Sequence, residues 1–131
     1  MSRLGMLPRT RSGGGAGRDA GTPVAARPGW MQRMDAARSI VAWVEADPRR
    51  ASGIGEHPGL AMLGGLDRAL AYLHRRWVTA FGVALDLEIE AGSPPGPATL
   101  ARVCRRLAAE QPGLRLILEH HASHPAVREG R

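Results

Sequence analysis

Residues 63–87 read LGGLDRALAYLHRRWVTAFGVALDL, and this stretch decides the fold class. Leu63, Leu66, Leu70, Leu73, Trp77, Ala80, Ala84 and Leu87 recur at steps of three and four. That spacing places them on one side of a helix, whereas in a strand they would scatter over both faces. The repeat stops at Ala91-Gly92-Ser93-Pro94-Pro95, where glycine ends a helix and the prolines keep it from resuming. Pro58 suits a first helical turn, while Gly64-Gly65 weakens the opening turns and marks a kink or a close helix contact. The reading is one long helix over about residues 60–90. At a rise of 1.5 Å per residue it would span roughly 45 Å. A globule of about 96 residues is roughly 32 Å across, so an elongated bundle is expected.

The second half of this helix carries more apolar surface than one seam uses. Val78, Phe81, Leu85 and Ile89 add a second stripe to Trp77, Ala84 and Leu87. A helix that is apolar on two sides needs two neighbours, either within the bundle or from a second chain. Val78, Phe81, Leu85 and Ile89 are therefore the candidate interface.

Working outward, Trp30, Met34, Ala37, Val41 and Val44 give a first helix from about Trp30 to Ala46, which ends where Asp47 precedes Pro48. Residues 48–57, with Gly53 and Gly55, read as a loop. A third helix spans about residues 98–111 on Leu100, Val103, Cys104, Leu107 and Ala108. Pro112 forces a break. A short fourth helix, about residues 113–123, turns Leu114, Ile117, Leu118 and His121 inward, and Pro125 closes it. No stretch alternates as a half-buried strand does. The expected fold is all-α: a small elongated bundle of three to four helices over residues 30–125 with a long central helix. Residues 1–29 read as a disordered Arg/Gly/Pro-rich tail and residues 126–131 as a flexible carboxyl-terminal tail.

The chain has 18 arginines, no lysine and no asparagine, a net charge of +6 and a pI near 11.3. The missing residues are those with AT-rich codons, so part of the arginine content is expected to reflect a GC-rich genome. The charge is also misplaced for a groove-binding fold. Residues 1–29 hold five arginines against Asp19, and residues 126–131 hold Arg128 and Arg131 against Glu129. The remaining 11 arginines of residues 30–125 face 10 acids there. Nucleic acid is therefore the less favoured partner. The basic tail reads as an inert leader or an over-extended start, with Met31 or Met34 as the alternative. No apolar run approaches the roughly 18–20 residues needed to span a bilayer, and none follows the arginines as in a secretory signal. A cytoplasmic, soluble protein without membrane contact is the simplest expectation.

The chemistry-bearing residues are sparse. His120 and His124 stand four apart, the helical spacing of a zinc pair, and His74 or Glu88 could add a ligand. One such pair is a weak signal, and no metal or other cofactor is expected. Asp67, His74, Phe81 and Glu88 fall at intervals of seven along one face, which suits a polar rim beside a bundle seam. Cys104, the single cysteine, reads as an inert core thiol on helix three. Arg102, Arg105, Arg106 and Arg115 cluster around the short turn Gln111-Pro112-Gly113, which has the length of a helix-turn-helix turn. The second helix of that pair is apolar where a recognition helix is polar.

The leading expectation is a non-catalytic helical module for protein–protein interaction or self-association, with a protein or a second copy of the chain as partner. The alternatives are a DNA-associated regulator using helices 98–111 and 113–123 with the basic tail, and a helical bundle binding a metal or small ligand.

Overall fold

A computed structural model describes residues 29–128. The chain divides into two units between Gln32 and Arg33. Of the first, the described part is Gly29–Gln32, the opening turn of α1, where Trp30 is exposed. The tail assigned to residues 1–29 otherwise lies outside the described residues.

The fold is all-α, with no strand among the described residues. Helix α1 spans Gly29–Ala46, α2 Leu66–Glu90, α3 Pro97–Glu110, α4 Pro112–His120 and α5 Pro125–Arg128. Two 3-10 helices, Pro48–Glu56 and Pro58–Leu63, lie between α1 and α2. The core joins Ala37, Ile40 and Val44 of α1 to Ala69, Leu70 and Leu73 of α2 and to Leu114, Ile117 and Leu118 of α4. Ile54, Leu60 and Leu63 of the 3-10 segments and Val127 of α5 complete it.

Three expectations change here. The 48–57 loop is ordered as a 3-10 helix that buries Ala51 and Ile54. Asp47 starts it by accepting the Arg49 N–H, an N-cap before Pro48, whose missing N–H costs nothing in a first turn. The long helix is also shorter than its repeat. Gly64 and Gly65 adopt φ of 92° and 100°, left-handed values that halt Pro58–Leu63 and restart the chain as α2 at Leu66. Leu63 still reaches the core, but from the 3-10 segment. Finally, the boundary at residue 125 falls inside the fold. Residues 125–128 form α5, and Val127 is 1% exposed.

His57 links the two 3-10 helices. Its Nδ1 accepts the Gly59 N–H at 2.9 Å, and its ring stands edge-on to Trp43 with centroids 5.2 Å apart. An amide N–H only donates, so the neutral ring carries its proton on Nε2, which faces Ser39 Oγ at 3.5 Å. Burial holds the His57 pKa below its ordinary 6.5. The unfolded chain then takes up a proton before the folded one does. The His57 contribution is therefore complete above about pH 6.5 and is lost as pH falls through the lower folded value. Thermal melts of the wild type and His57→Asn, which keeps a capping acceptor without a titrating ring, should diverge below that pH. The wild type should lose more stability. Parallel curves would contradict this account of the cap.

Candidate functional site

The 25 residues of α2 divide into two parts. The first is core: its buried residues are Ala69, Leu70, Leu73 and His74. Beyond His74 no residue of α2 is fully buried, although the apolar repeat continues. Lengths explain the change. At 1.5 Å per residue α2 runs about 37 Å, whereas α4, with nine residues, covers about 13 Å, and α5 is a single turn. The distal half of α2 packs against α3, joined to it by the turn at residues 91–96, while Ala126 of α5 stands beside Val78.

This distal hairpin is held by a small apolar seam and a polar clamp. Val103 and Leu107 of α3 are buried but lie outside the main core cluster. Glu88 of α2 accepts from Arg106 at 2.9 Å and from Arg102 at 3.3 Å, and the Ser93 hydroxyl donates to it at 2.9 Å. The Ser93 hydrogen bond, followed by the Arg102 hydrogen bond and the two guanidinium charges, holds the Glu88 carboxyl below the usual carboxylate range despite its partial desolvation. Thr99 Oγ1 donates to the Pro94 carbonyl at 2.6 Å and fixes the turn to α3.

At about 100° per residue, Phe81, Leu85 and Glu88 turn toward α3, and the remaining apolar residues fall on two flanks. Trp77, Ala80, Ala84, Val83 and Leu87 occupy one; Val78, Gly82 and Ile89 occupy the other. Arg75, Thr79 and Asp86 form a polar ridge between them. Val83 is 57% exposed, Leu87 52%, Val78 51% and Ile89 40%; Leu100 of α3 is also exposed. The four-residue interface read from sequence is thus split. Val78 and Ile89 are exposed, whereas Phe81 and Leu85 are half-buried. Sequence reasoning assigned Leu87 to the core seam and passed over Val83. Trp77 is half-buried rather than a core residue.

The histidine pair is not assembled. Helix α4 ends at His120, so His120 and His124 do not share a helix face. His124 Nδ1 accepts the Ala126 N–H at 3.1 Å, and Nε2 lies 3.1 Å from Asp67 Oδ1. Both ring nitrogens are therefore engaged. His121 Nδ1 donates to the Ile117 carbonyl at 2.8 Å, and His74 is 8% exposed at the edge of a hollow lined by Val78 and Ala126. Among the described residues no group of three or more His, Cys, Asp or Glu side chains could hold a metal ion. Of the residues read as a polar rim, Asp67 is exposed and contacts His124, whereas His74 is buried.

Cys104 is exposed rather than in the core. The buried positions of α3 are Thr99, Val103 and Leu107, four apart, and Cys104 is one step round the helix from that line. It lines an open groove of about 710 Å³ between α3 and α4, together with Trp77, Ala108, Leu118 and the ion pair Arg115–Glu119. Of the arginines considered for DNA reading, Arg102 and Arg106 are bound to Glu88 and Arg115 to Glu119, while Arg105 borders the groove. The first turn of α4 packs on α1, where Glu45 Oε2 accepts the Gly113 N–H at 3.2 Å. A recognition helix presents that end to the bases.

His57 and Ser39 resemble a base and a nucleophile in proximity, but the tautomer is wrong. With Nδ1 accepting from Gly59, Nε2 carries the proton and cannot take one from the serine. Among the described residues no helix is long and apolar enough to cross a membrane. No protein family, curated protein or solved structure matches the chain.

Proposed function

We propose that this protein is a non-catalytic helical interaction module that self-associates through the distal half of α2. The observation that carries the reading is the continuation of the apolar repeat past the core: Val78, Val83, Leu87 and Ile89 stay exposed after the last buried residue, His74. Isolated exposed apolar residues are ordinary, but four large ones within 12 residues of one helix leave apolar surface on both of its flanks, and Val83 and Leu87, neighbours on one flank, are the kind of surface that marks an interface. The clamp at Glu88 supports the same reading, because it holds the hairpin in a fixed shape and so lowers the ordering cost of docking.

The test is the double substitution Val83→Glu/Leu87→Glu in the full chain. Both side chains are more than half exposed, so the melting temperature of dilute protein should change little. Self-association, followed by light scattering, should weaken by at least about tenfold, which corresponds to about 1.4 kcal/mol. Unchanged association of the double variant would overturn the assignment of this surface.

A further inference from the structure

Resting on that reading, we infer that the docking partner is a second copy of the chain, packed antiparallel along the flank Arg76, Ala80, Val83, Leu87 and Glu90 with a two-fold axis at Val83. These five residues step by four, three, four and three, the spacing of a helix–helix seam. Ala80 and Leu87 extend the line of Leu66, Leu70 and Leu73, which are part of the core or packed against it, and Val83 lies on the outer side of that line. The apolar centre has opposite charges at its two ends, Arg76 and Glu90, about 21 Å apart along the helix. Among the described residues neither takes part in an ion pair.

The charge pattern selects the orientation. A parallel pair would bring Arg76 beside Arg76 and Glu90 beside Glu90. An antiparallel pair brings each Arg76 to a Glu90, because both lie seven residues from Val83. Val83 then meets Val83, and a two-fold interface repeats every contact twice. The other flank, Val78, Gly82 and Ile89, offers no such pair of ends. The α5 turn also stands beside it, with Ala126 and Val78 lining one hollow.

Charge reversal tests this arrangement. Arg76→Glu alone and Glu90→Arg alone each replace two attractions with two repulsions, so each should weaken the homodimer by about tenfold. The double variant Arg76→Glu/Glu90→Arg should restore association. An equimolar mixture of the two single variants should form a heterodimer in preference to either homodimer, and about 1 M salt should shrink all of these differences. In a Cys104→Ser background, Val83→Cys should cross-link two chains on mild oxidation, since paired sulfurs require adjacent Cβ atoms. Dimers that ignore both charge reversals and fail to cross-link through residue 83 would overturn the antiparallel arrangement while leaving self-association intact. A wild-type chain that stays monomeric would overturn both readings, as would one that dimerises only after residues 1–28 are removed, since that segment would then be the occupant.

Discussion

Leu73→Ala should destabilise the fold by about 2–5 kcal/mol, whereas Leu87→Ala, the same chemical change two heptads further along α2, should stay within about 0.5 kcal/mol in dilute protein. Leu73 is fully buried in the core cluster that also holds residues of α1 and α4. Truncating it removes the transfer energy of its side chain and leaves a cavity that close-packed neighbours fill only in part. Leu87 is 52% exposed, so its truncation empties no cavity. Because a domain of this size has a total stability of about 5–15 kcal/mol, the first variant loses a large share of it. Chemical denaturation at concentrations below self-association measures both. Equal losses would show that the core runs the full length of α2.

Gly113→Ala is the second large effect, an expected loss of about 1–3 kcal/mol from overpacking. A Cβ at this position would lie 2.5 Å from Glu45 Cγ, 2.9 Å from the Val41 carbonyl oxygen and 3.0 Å from Val41 Cγ1. The glutamate can swing away only by giving up its bond to the Gly113 N–H, which otherwise satisfies one of the unpaired amides at the start of α4. The Val41 carbonyl belongs to the α1 backbone and cannot move alone, so α1 and α4 must separate. Gly82→Ala is the control. A Cβ there meets nothing within 4 Å, and alanine in a helix interior should gain about 0.5–1 kcal/mol. If both variants gained stability, the α1–α4 contact would be looser than described.

The helices themselves were legible because their signals are local. The apolar period of α1 and the stops at Pro48, Gly92 and Pro112 each depend on a few neighbouring residues, whereas Pro125, expected to close the fourth helix, opens α5 instead. What the sequence hid depends on distance in space. The repeat from Leu63 to Leu87 looks like one seam, but a seam is buried only as far as its partners reach, and α4 is too short to follow α2 to its end. The Gly64-Gly65 pair is visible in sequence, but whether it bends a helix or breaks it rests on the backbone angles of the two glycines, which lie between Leu63 in the core and Leu66 packed against it. The 3-10 helices of residues 48–63 lack the 3.6-residue period, so only their prolines and the apolar Ile54, Leu60 and Leu63 could have revealed them. The histidine spacing misled because it presumed a helix through residue 124, whereas His121 ends α4 by turning its ring back onto the Ile117 carbonyl. Cys104 misled for a related reason: α3 packs on one narrow line, and its neighbour Val103 occupies it.

The candidate surface was half legible. The excess of apolar residues in the distal half of α2 is a sequence fact, and it pointed to a second neighbour. Which of those residues remain uncovered depends on where α3 docks, and that is set by the pairing of Arg102 and Arg106 with Glu88 across the hairpin. Phe81 and Leu85, on the side of α2 that carries Glu88, are half-buried, and Val83 and Leu87 stay outside.

The central claim, that the distal half of α2 is a core seam awaiting a second chain, is tested most directly by the mass of the full-length protein in solution as a function of concentration. The account predicts that multi-angle light scattering will find a mass rising from one chain of 14.0 kDa toward twice that value as concentration increases. A mass that stays at 14.0 kDa up to millimolar concentration would contradict it.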